Sequence, residues 1–247
     1  MIKQEIEQHW TRTSTAYNRW VLNNMESPPV KRLWLDLFQR HLASAPLEVL
    51  DVGTGPGVMA FFLAQLGHRV TALDLSPGMI EAARENAAAL SLPVDFQVGD
   101  AEALPFPDAS FDAVTNRLIL WTMSRPEQAV REWARVLKPG GKLIIIDGRA
   151  VQVRRTWTHK IWKVATVPLV MVTENRNPLK GRQSMDVWKR LPLFDQPRPD
   201  WELNELQRLG FRNVQVERIS RRQLGLLEYL KHGCWGDYFV TSGVKPG

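Results

Sequence analysis

Apolar side chains recur every three or four positions across residues 2–43, which is the spacing of one face of a helix. The segment Ser27-Pro28-Pro29 interrupts this spacing. Proline fits the first turn of a helix and disrupts its interior, so it marks a boundary. The pattern therefore predicts two helices at the start of the chain.

From residue 46 onward, short apolar runs alternate with helical stretches. Such runs are typical of buried parallel strands. The sequence predicts strands at 49–52, 69–73, 94–98, 111–115 and 142–146, and two more at 214–219 and 238–241. Because the last two lie close together in sequence, they can pair antiparallel.

This alternation predicts an α/β fold. We expect a Rossmann-like, doubly wound seven-stranded sheet, mostly parallel with an antiparallel last strand, to which N-terminal helices and an inserted lid are added. Ser76-Pro77 and a capping box from Ser124 to Glu127 predict the starts of two helices, and Asp200 is expected to cap a third.

Residues 150–198 interrupt the alternation and combine tryptophans, prolines and basic side chains. They divide the chain into four predicted parts: a helical cap over 1–45, a Rossmann-like core over 46–149, a basic, aromatic-rich lid over 150–198 and the C-terminal part of the core over 199–247. Since the lid follows the fifth strand, it starts at the carboxyl end of the sheet, where open α/β sheets bind ligands.

The net charge of the chain is +6, and it is unevenly distributed. Between residues 149 and 190 there are ten basic and two acidic side chains, a local charge of +8, so the rest of the chain carries −2. The basic character therefore belongs to the insertion, which argues against a general nucleic-acid-binding surface.

The single cysteine, Cys234, excludes an internal disulfide, and the polar start of the chain lacks the apolar stretch of a signal peptide. The longest apolar stretch, around 161–172, is shorter than the ~20 residues of a membrane span. We therefore expect a cytoplasmic protein without integral membrane association.

The segment from Asp51 to Gly57, Asp-Val-Gly-Thr-Gly-Pro-Gly, directly follows the first predicted strand. Glycines at this point let the chain turn sharply and let a ligand lie against the backbone. An ordinary strand–helix connection can also be rich in glycine. The residues at the ends of the neighbouring strands therefore have to show whether this turn binds a ligand.

Two acidic residues stand at those strand ends. Asp74 ends the second strand, about 20 residues beyond the glycines, the offset of a carboxylate that holds a ribose diol. Such a carboxylate repels a 2′-phosphate, which disfavours NADP. Asp100 follows the third strand, where it can accept a hydrogen bond from an adenine amino group. The three elements together predict a site for an adenosine-containing ligand.

Four segments in this order and spacing resemble the class I S-adenosylmethionine-dependent methyltransferases, specifically the ubiquinone/menaquinone-biosynthesis-type group. They are VLDVGTGPG (49–57), ALDLSPGMIEAAREN (72–86), VGDAEALPFPDASFDAV (98–114) and EWARVLKPGGKLIIID (132–147), with a weaker match at 205–217. The resemblance is specific for fold and cofactor, and it says little about the substrate.

The resemblance implies S-adenosyl-L-methionine as the cofactor, and it assigns a role to particular residues. The residues expected around the methionine and ribose are Asp51, Gly53, Thr54, Gly55 and Gly57. Asp74 is expected to bind the ribose hydroxyls, with Leu75 beside the adenine, and Asp100 and Ala101 are expected to bind the adenine edge. Arg117 begins the stretch that lines the sulfonium side of the pocket. The stretch 117–123 lacks the Asn-Pro-Pro-Tyr or Asp-Pro-Pro-Tyr motif used on DNA bases and glutamine, so DNA is disfavoured.

Methyl transfer from a sulfonium is an in-line displacement with a neutral leaving group. The protein must align the acceptor, exclude water and, where needed, remove a proton. The candidate catalytic residues are Tyr17, in an Ala-Tyr-Asn context similar to the family's N-terminal helices, and His159, which lies between Trp157 and Trp162. For each the alternative is a packing role. No metal site is predicted.

The predicted function is methyl transfer to a small-molecule acceptor through an unresolved oxygen, nitrogen, sulfur or carbon atom, by a monomer or homodimer. An aromatic mouth with arginines suits a planar or anionic substrate. The alternatives are an RNA or tRNA methyltransferase recruited by the insertion, and a membrane-surface enzyme acting on a lipid or quinone. An NAD-dependent dehydrogenase is disfavoured because Val58 stands where its fingerprint needs glycine or alanine. A non-catalytic scaffold is disfavoured by the intact glycine turn with its two acids.

Overall fold

The computed structural model describes residues 2–25, 27–44, 46–148, 161, 164–174, 186–224, 226, 229–230 and 237–247. The helices are α1 (Ile2–Met25), α2 (Pro28–His41), α3 (Val58–Gln65), α4 (Pro77–Leu90), α5 (Pro126–Val136), α6 (Val167–Glu174), α7 (Asp186–Lys189) and α8 (Asp200–Arg208). The strands are β1 (Glu48–Val52), β2 (Arg69–Asp74), β3 (Val94–Val98), β4 (Phe111–Arg117), β5 (Leu137–Gly148), β6 (Arg212–Ile219) and β7 (Tyr238–Val244).

The strands form one sheet in the order β3-β2-β1-β4-β5-β7-β6. Strands β1 to β5 pair in parallel, and β7 lies antiparallel between β5 and β6. The predicted α/β fold with a mostly parallel seven-stranded sheet is therefore confirmed. The chain order reverses between β1 and β4, and in an open sheet the carboxyl ends of the strands border a crevice at such a point.

Hydrophobic cores cover both faces of the sheet. Successive residues of β1 point to opposite faces, so Val49 belongs to one core and Leu50 to the other. The first core packs α2, α3 and α4 around the buried Trp34, and the second packs α5 and α8 around the fully buried Trp133. The strand ends that border the crevice are therefore held from both sides.

Two of the predicted helix starts differ in outcome. Ser76 caps α4 as predicted, because its hydroxyl accepts a hydrogen bond from the Met79 amide at 3.2 Å. The capping box at Ser124 is wrong: the start of α5 has no side-chain cap, and the Ser124 hydroxyl donates to the Glu102 carboxylate at 2.8 Å. A carboxylate brought close by the fold competes successfully for this hydroxyl.

The predicted cap at Asp200 is also wrong. Asp200 is the first residue inside α8, and Pro199 occupies the capping position. Strand β5 is longer than predicted, since its pairing with β7 continues to Gly148. Pairing partners that are distant in sequence extend a strand beyond its apolar run.

A buried ion cluster joins the end of β5 to the start of α8. The Arg198 guanidinium donates to the Asp147 carboxylate at 2.7 Å and to the carboxylate of Glu202. All three side chains are at most 7% exposed. The cluster fixes the point where the chain returns to the sheet after the insertion.

Helix α6 is short and apolar, and it is exposed on part of its surface. Among its eight residues, Val170 is buried, whereas Val172 is 84% exposed. Within the described ranges no helix combines the length and the apolar character needed to cross a membrane.

Candidate active site

The glycine turn lies at the crevice between β1 and α3. The amides of Gly53 and Thr54 both donate to the Leu73 carbonyl, at 2.7 and 3.0 Å, which ties the turn to the end of β2. Gly53, Gly55 and Gly57 have φ values of +67°, +56° and +94°. Side chains disfavour this left-handed region, so the conformation of the turn requires its glycines.

The three glycines have different surroundings. A Cβ atom on Gly53 would lie 2.4 Å from the Ile119 side chain, and one on Gly57 would lie 2.4 Å from the Phe61 ring. A Cβ on Gly55 would meet only the Tyr17 ring, at 3.8 Å. The lack of a side chain at Gly53 and Gly57 therefore lets Ile119 and Phe61 pack against the turn, whereas at Gly55 it leaves open space between the turn and α1.

Asp51 lies at the base of the turn and is 1% exposed. Its carboxylate accepts hydrogen bonds from the Thr54 hydroxyl at 2.7 Å and the Thr115 hydroxyl at 3.1 Å. Burial raises the pKa of Asp51 to about 6, against the effect of the two hydroxyls. Asp51 and Thr54 both border the cavity, and their side chains bind each other and thereby brace the turn.

Asp74 lies at the end of β2 and faces the same turn. Its carboxylate accepts hydrogen bonds from the Gly55 amide at 2.8 Å and the Ser76 amide at 2.9 Å. Burial raises the pKa of this carboxyl, and the two amides act in the opposite direction. A carboxylate has about four acceptor positions, so two backbone amides leave capacity for two further donors.

Asp100 follows β3 and lies beside the start of α1. Its carboxylate accepts from the Lys3 ammonium at 2.6 Å and from the Glu102 amide at 2.9 Å. Lys3 also pairs with the Glu102 carboxylate at 2.7 Å. The carboxylate of Asp100, which is predicted to bind the adenine, is therefore already bound to a lysine that no sequence pattern singled out.

Tyr17 faces the glycine turn from α1. Its ring lies near Gly55 and is 5.5 Å from the Trp10 ring, centroid to centroid. Burial raises the pKa of the Tyr17 hydroxyl above its usual value, so the phenol stays protonated at neutral pH. Tyr17 can therefore hydrogen-bond as a phenol, but it is not a base under these conditions.

Arg117 ends β4 on the same side of the crevice as Tyr17. Its guanidinium carbon lies 5.8 Å from the centre of the Trp34 ring, a cation–π contact. Its charge lowers the pKa values of the Asp51 carboxyl and the Tyr17 hydroxyl. Arg117 also lines the cavity, so its positive charge lies close to both of these groups.

These residues surround one cavity of about 980 Å³, measured out to its open mouth. The predicted residues that line it are Tyr17, Asp51, Gly53, Thr54, Gly55, Asp74, Leu75, Asp100, Ala101 and Arg117. Gly57 stands behind them, against Phe61. His159 lies outside the described residues. The binding roles of these residues stay predictions, while their convergence on one cavity is observed.

Sequence reasoning missed several residues that line the cavity, including Lys3, Ile6, Met79, Glu102 and Met123. Lys3, Ile6 and Trp10 recur at helical spacing, which signals a shared face of α1. The sequence predicted a helical cap over 1–45, but the spacing alone did not show which residues of its face meet the strand ends.

Comparison with known proteins places the chain in a family. Residues 50–145 match the model of a methyltransferase domain. The chain is 39% identical over 139 residues to the ubiquinone/menaquinone biosynthesis C-methyltransferase UbiE of Ruegeria sp. (strain TM1040), covering 54% of this chain and 56% of that protein. It thus spans little more than half the length of this relative.

A longer match is found with the malonyl-[acyl-carrier protein] O-methyltransferase of Erwinia pyrifoliae. The two chains are 34% identical over 216 residues, which cover 80% of this chain and 78% of the relative.

Among solved structures, a putative S-adenosyl-L-methionine-dependent methyltransferase from Methanococcus maripaludis superposes with a TM-score of 0.62 at 20% identity, covering 96% of this chain and 94% of that one. The [4+2]-cyclase SpnF superposes with a TM-score of 0.59 at 23% identity, covering 88% and 81%. These structures share the fold. The malonyl relative, which is 34% identical and is covered over 78% of its length, shows together with the family model that the chain belongs to the class I S-adenosylmethionine-dependent methyltransferases.

Proposed function

We propose that the chain transfers a methyl group from S-adenosylmethionine to a planar or anionic small molecule. The observation that carries this proposal is the cavity that the glycine turn, Asp74 and Asp100 line together with Trp10, Tyr17 and Arg117. The name of one relative refers to ubiquinone and menaquinone biosynthesis, and that of the other to a malonyl group on an acyl-carrier protein. Both names support an acceptor group of small size here.

The strand ends suit the adenosine part of the cofactor. The Asp74 carboxylate keeps free acceptor capacity beyond its bonds to Gly55 and Ser76, and this capacity matches a ribose diol. The open space at Gly55 lets a ligand approach the backbone closely. When bound, S-adenosylmethionine supplies an electrophilic methyl group on a sulfonium.

Other side chains that line the cavity, from α1 and from the end of β4, suit the acceptor. The Trp10 and Tyr17 rings offer flat apolar faces, and Arg117 offers a planar cation that can pair with a carboxylate or phenolate. Tyr17 orients the acceptor as a neutral hydrogen-bonding phenol, because burial keeps its hydroxyl protonated. Helix α1 covers the cavity and excludes water, and alignment with exclusion of water is what this displacement needs from the protein.

The geometry of the described residues does not test the remaining predictions. His159 stays a proposed general base, to be tested by turnover of a His159→Ala variant. The division into a helical cap, a core and a lid, the cytoplasmic location, and the monomeric or homodimeric state likewise stay proposals.

Asp74→Asn tests the cofactor side of the proposal. The variant keeps the shape of the site and removes one acceptor oxygen with its charge. We expect the affinity for S-adenosylhomocysteine, measured by calorimetry, to fall about tenfold or more. The matched control is Asp95→Asn on the exposed edge of β3, which should bind as the unchanged chain does.

The acceptor side is tested by following release of S-adenosylhomocysteine with a panel of phenols, aromatic acids and neutral aliphatic alcohols and amines. Turnover should be confined to planar or anionic acceptors. Preference for a neutral aliphatic acceptor would overturn the substrate class, and absence of S-adenosylhomocysteine binding would overturn the cofactor side.

A further inference from the structure

Lys3 stands in the first turn of α1 and reaches across to the end of β3. Its ammonium lies 2.6 Å from the Asp100 carboxylate and 2.7 Å from the Glu102 carboxylate. The lysine side chain is 28% exposed, and the contact joins residues 97 positions apart in the chain. This pairing anchors the first turn of α1 to the strand end that is expected to meet the adenine.

Glu102 is a fixed partner in this contact. Its side chain is 2% exposed, and it accepts hydrogen bonds from the Ser124 amide and hydroxyl at 2.7 and 2.8 Å and from the Arg125 amide at 3.0 Å. Although burial raises the pKa of Glu102, its bonds to Lys3, Ser124 and Arg125 outweigh burial and bring it down to about 2. The carboxylate therefore stays charged and in place at any physiological pH.

Asp100 is the adjustable partner. Its carboxylate is 31% exposed, and its two oxygens accept one bond from Lys3 and one from the Glu102 amide. About four acceptor positions are available on a carboxylate, so an adenine amino group can bind Asp100 while Lys3 remains.

The same face of α1 continues along the cavity. Lys3, Ile6, Trp10 and Tyr17 all line it, from the Asp100 end to the glycine turn. Further along, the Thr11 hydroxyl lies 2.9 Å from the Ser76 hydroxyl. The helix thus lies along the length of the site, and its first turn is held there by the Lys3 ion pairs.

We propose that Lys3 is a positioning residue that couples filling of the adenosine site to docking of α1 over the cavity. The inference rests on the proposed function, since it takes Asp100 as the adenine ligand. Docked α1 walls in the ligand, and a bound ligand adds contacts to the docked helix. Because coupling between two equilibria is reciprocal, docking of α1 raises ligand affinity by the factor by which the ligand favours docking. Lys3 contributes by increasing the fraction of the protein in which α1 is docked.

The test uses S-adenosylhomocysteine as the probe, with calorimetry for affinity and amide hydrogen exchange for α1. The variants are Lys3→Met, which removes the charge, and Lys3→Arg, which can still bridge two carboxylates. Lys31→Met on the exposed face of α2 is the matched control. We expect Lys3→Met to lower the affinity roughly fivefold, Lys3→Arg to restore most of it, and Lys31→Met to leave it unchanged.

Hydrogen exchange separates this role from simple loss of structure. In the unchanged chain the ligand should slow exchange at the amides of both 2–10 and 53–57. In Lys3→Met the protection of 53–57 should remain while that of 2–10 is lost. Equal affinity and equal protection of 2–10 in Lys3→Met would overturn the role of Lys3 alone, whereas no binding by the unchanged chain would overturn the cofactor assignment and this inference together.

Discussion

The cavity has two walls, and they are held in place by different kinds of contact. The strand wall consists of the glycine turn with Asp74 and Asp100, and backbone amides fix it through bonds to Leu73 and to the Asp74 carboxylate. The helix wall is the face of α1 from Lys3 to Tyr17, and side chains from distant parts of the chain hold it. The strand wall is therefore part of the folded sheet, and the helix wall is a separately docked element.

This difference determines the free energy that is needed to open each wall of the cavity. Strand ends between two cores move only if the sheet opens, which costs nearly the whole free energy of unfolding. Within the described part of the chain, helix α1 is held by side-chain contacts alone, which join it to α4, to the first core through Tyr17 and to the cluster of Trp188, so it can open without parting the strands and at a smaller cost. Opening of the helix wall would therefore leave the residues of the strand wall in place.

Substitution of two buried tryptophans, one near each wall, is the strongest test of the difference between the walls. Trp133 lies in the main core beneath the strand wall, and Trp188 packs with Ile6 and Leu191 in a small cluster behind α1. We expect Trp133→Ala to lower the free energy of unfolding by about 3–5 kcal/mol, measured with urea. Trp188→Ala should change global unfolding far less, and instead speed hydrogen exchange along α1.

The two variants act as controls for each other. If Trp188→Ala lowered the global unfolding free energy as much as Trp133→Ala while α1 kept its protection, the helix wall would have to be counted as part of the main core.

Substitutions at two glycines of the turn separate an effect on the stability of the strand wall from an effect on ligand binding. Gly53→Ala combines a positive φ with a Cβ atom 2.4 Å from Ile119, so we expect about 3 kcal/mol of destabilisation. Gly55→Ala meets only the Tyr17 ring at 3.8 Å, so its stability loss should stay near 1 kcal/mol. Its methyl group fills the open space, so loss of S-adenosylhomocysteine binding should be its larger effect.

Thermal unfolding and calorimetry on both variants check this pair. Normal ligand affinity in Gly55→Ala would show that the ligand does not approach the turn at this point.

Asp51 gives the strand wall a pH dependence. Its pKa of about 6 in the folded protein lies above the value of 3.8 expected without the fold, so the fold favours the protonated form. That contribution is complete below about pH 4 and is lost as the pH rises through 6. Relative to Asp51→Asn, the unchanged chain should therefore lose stability between pH 4 and pH 7, by at most about 3 kcal/mol.

Urea unfolding of both proteins across this pH range measures the difference, and Asp95→Asn corrects for the loss of one carboxyl. A difference between the unchanged chain and Asp51→Asn that stays constant with pH would contradict the burial of a charged Asp51.

The sequence predicted the strand wall better than the helix wall. The glycine turn, Asp74 and Asp100 follow directly from strand ends that apolar runs reveal, because parallel strands align their carboxyl ends. Lys3 and Glu102 could not be selected, because their contact arises only when the first turn of α1 meets the segment that follows β3. The misassigned cap at Ser124 has the same origin: Glu102, 22 residues away in sequence, takes the hydroxyl that local spacing assigned to the helix.

The buried cluster of Asp147, Arg198 and Glu202 fastens both ends of the insertion to the sheet. The entropy of closing a loop grows only slowly with its length, by about 0.6 kcal/mol for each doubling. With its two ends fixed side by side, the intervening stretch can be lengthened, shortened or exchanged at little cost to the sheet. Changes in this stretch should therefore leave the strand ends in place, and they should be felt first at α1, on which its residues Trp188 and Leu191 pack.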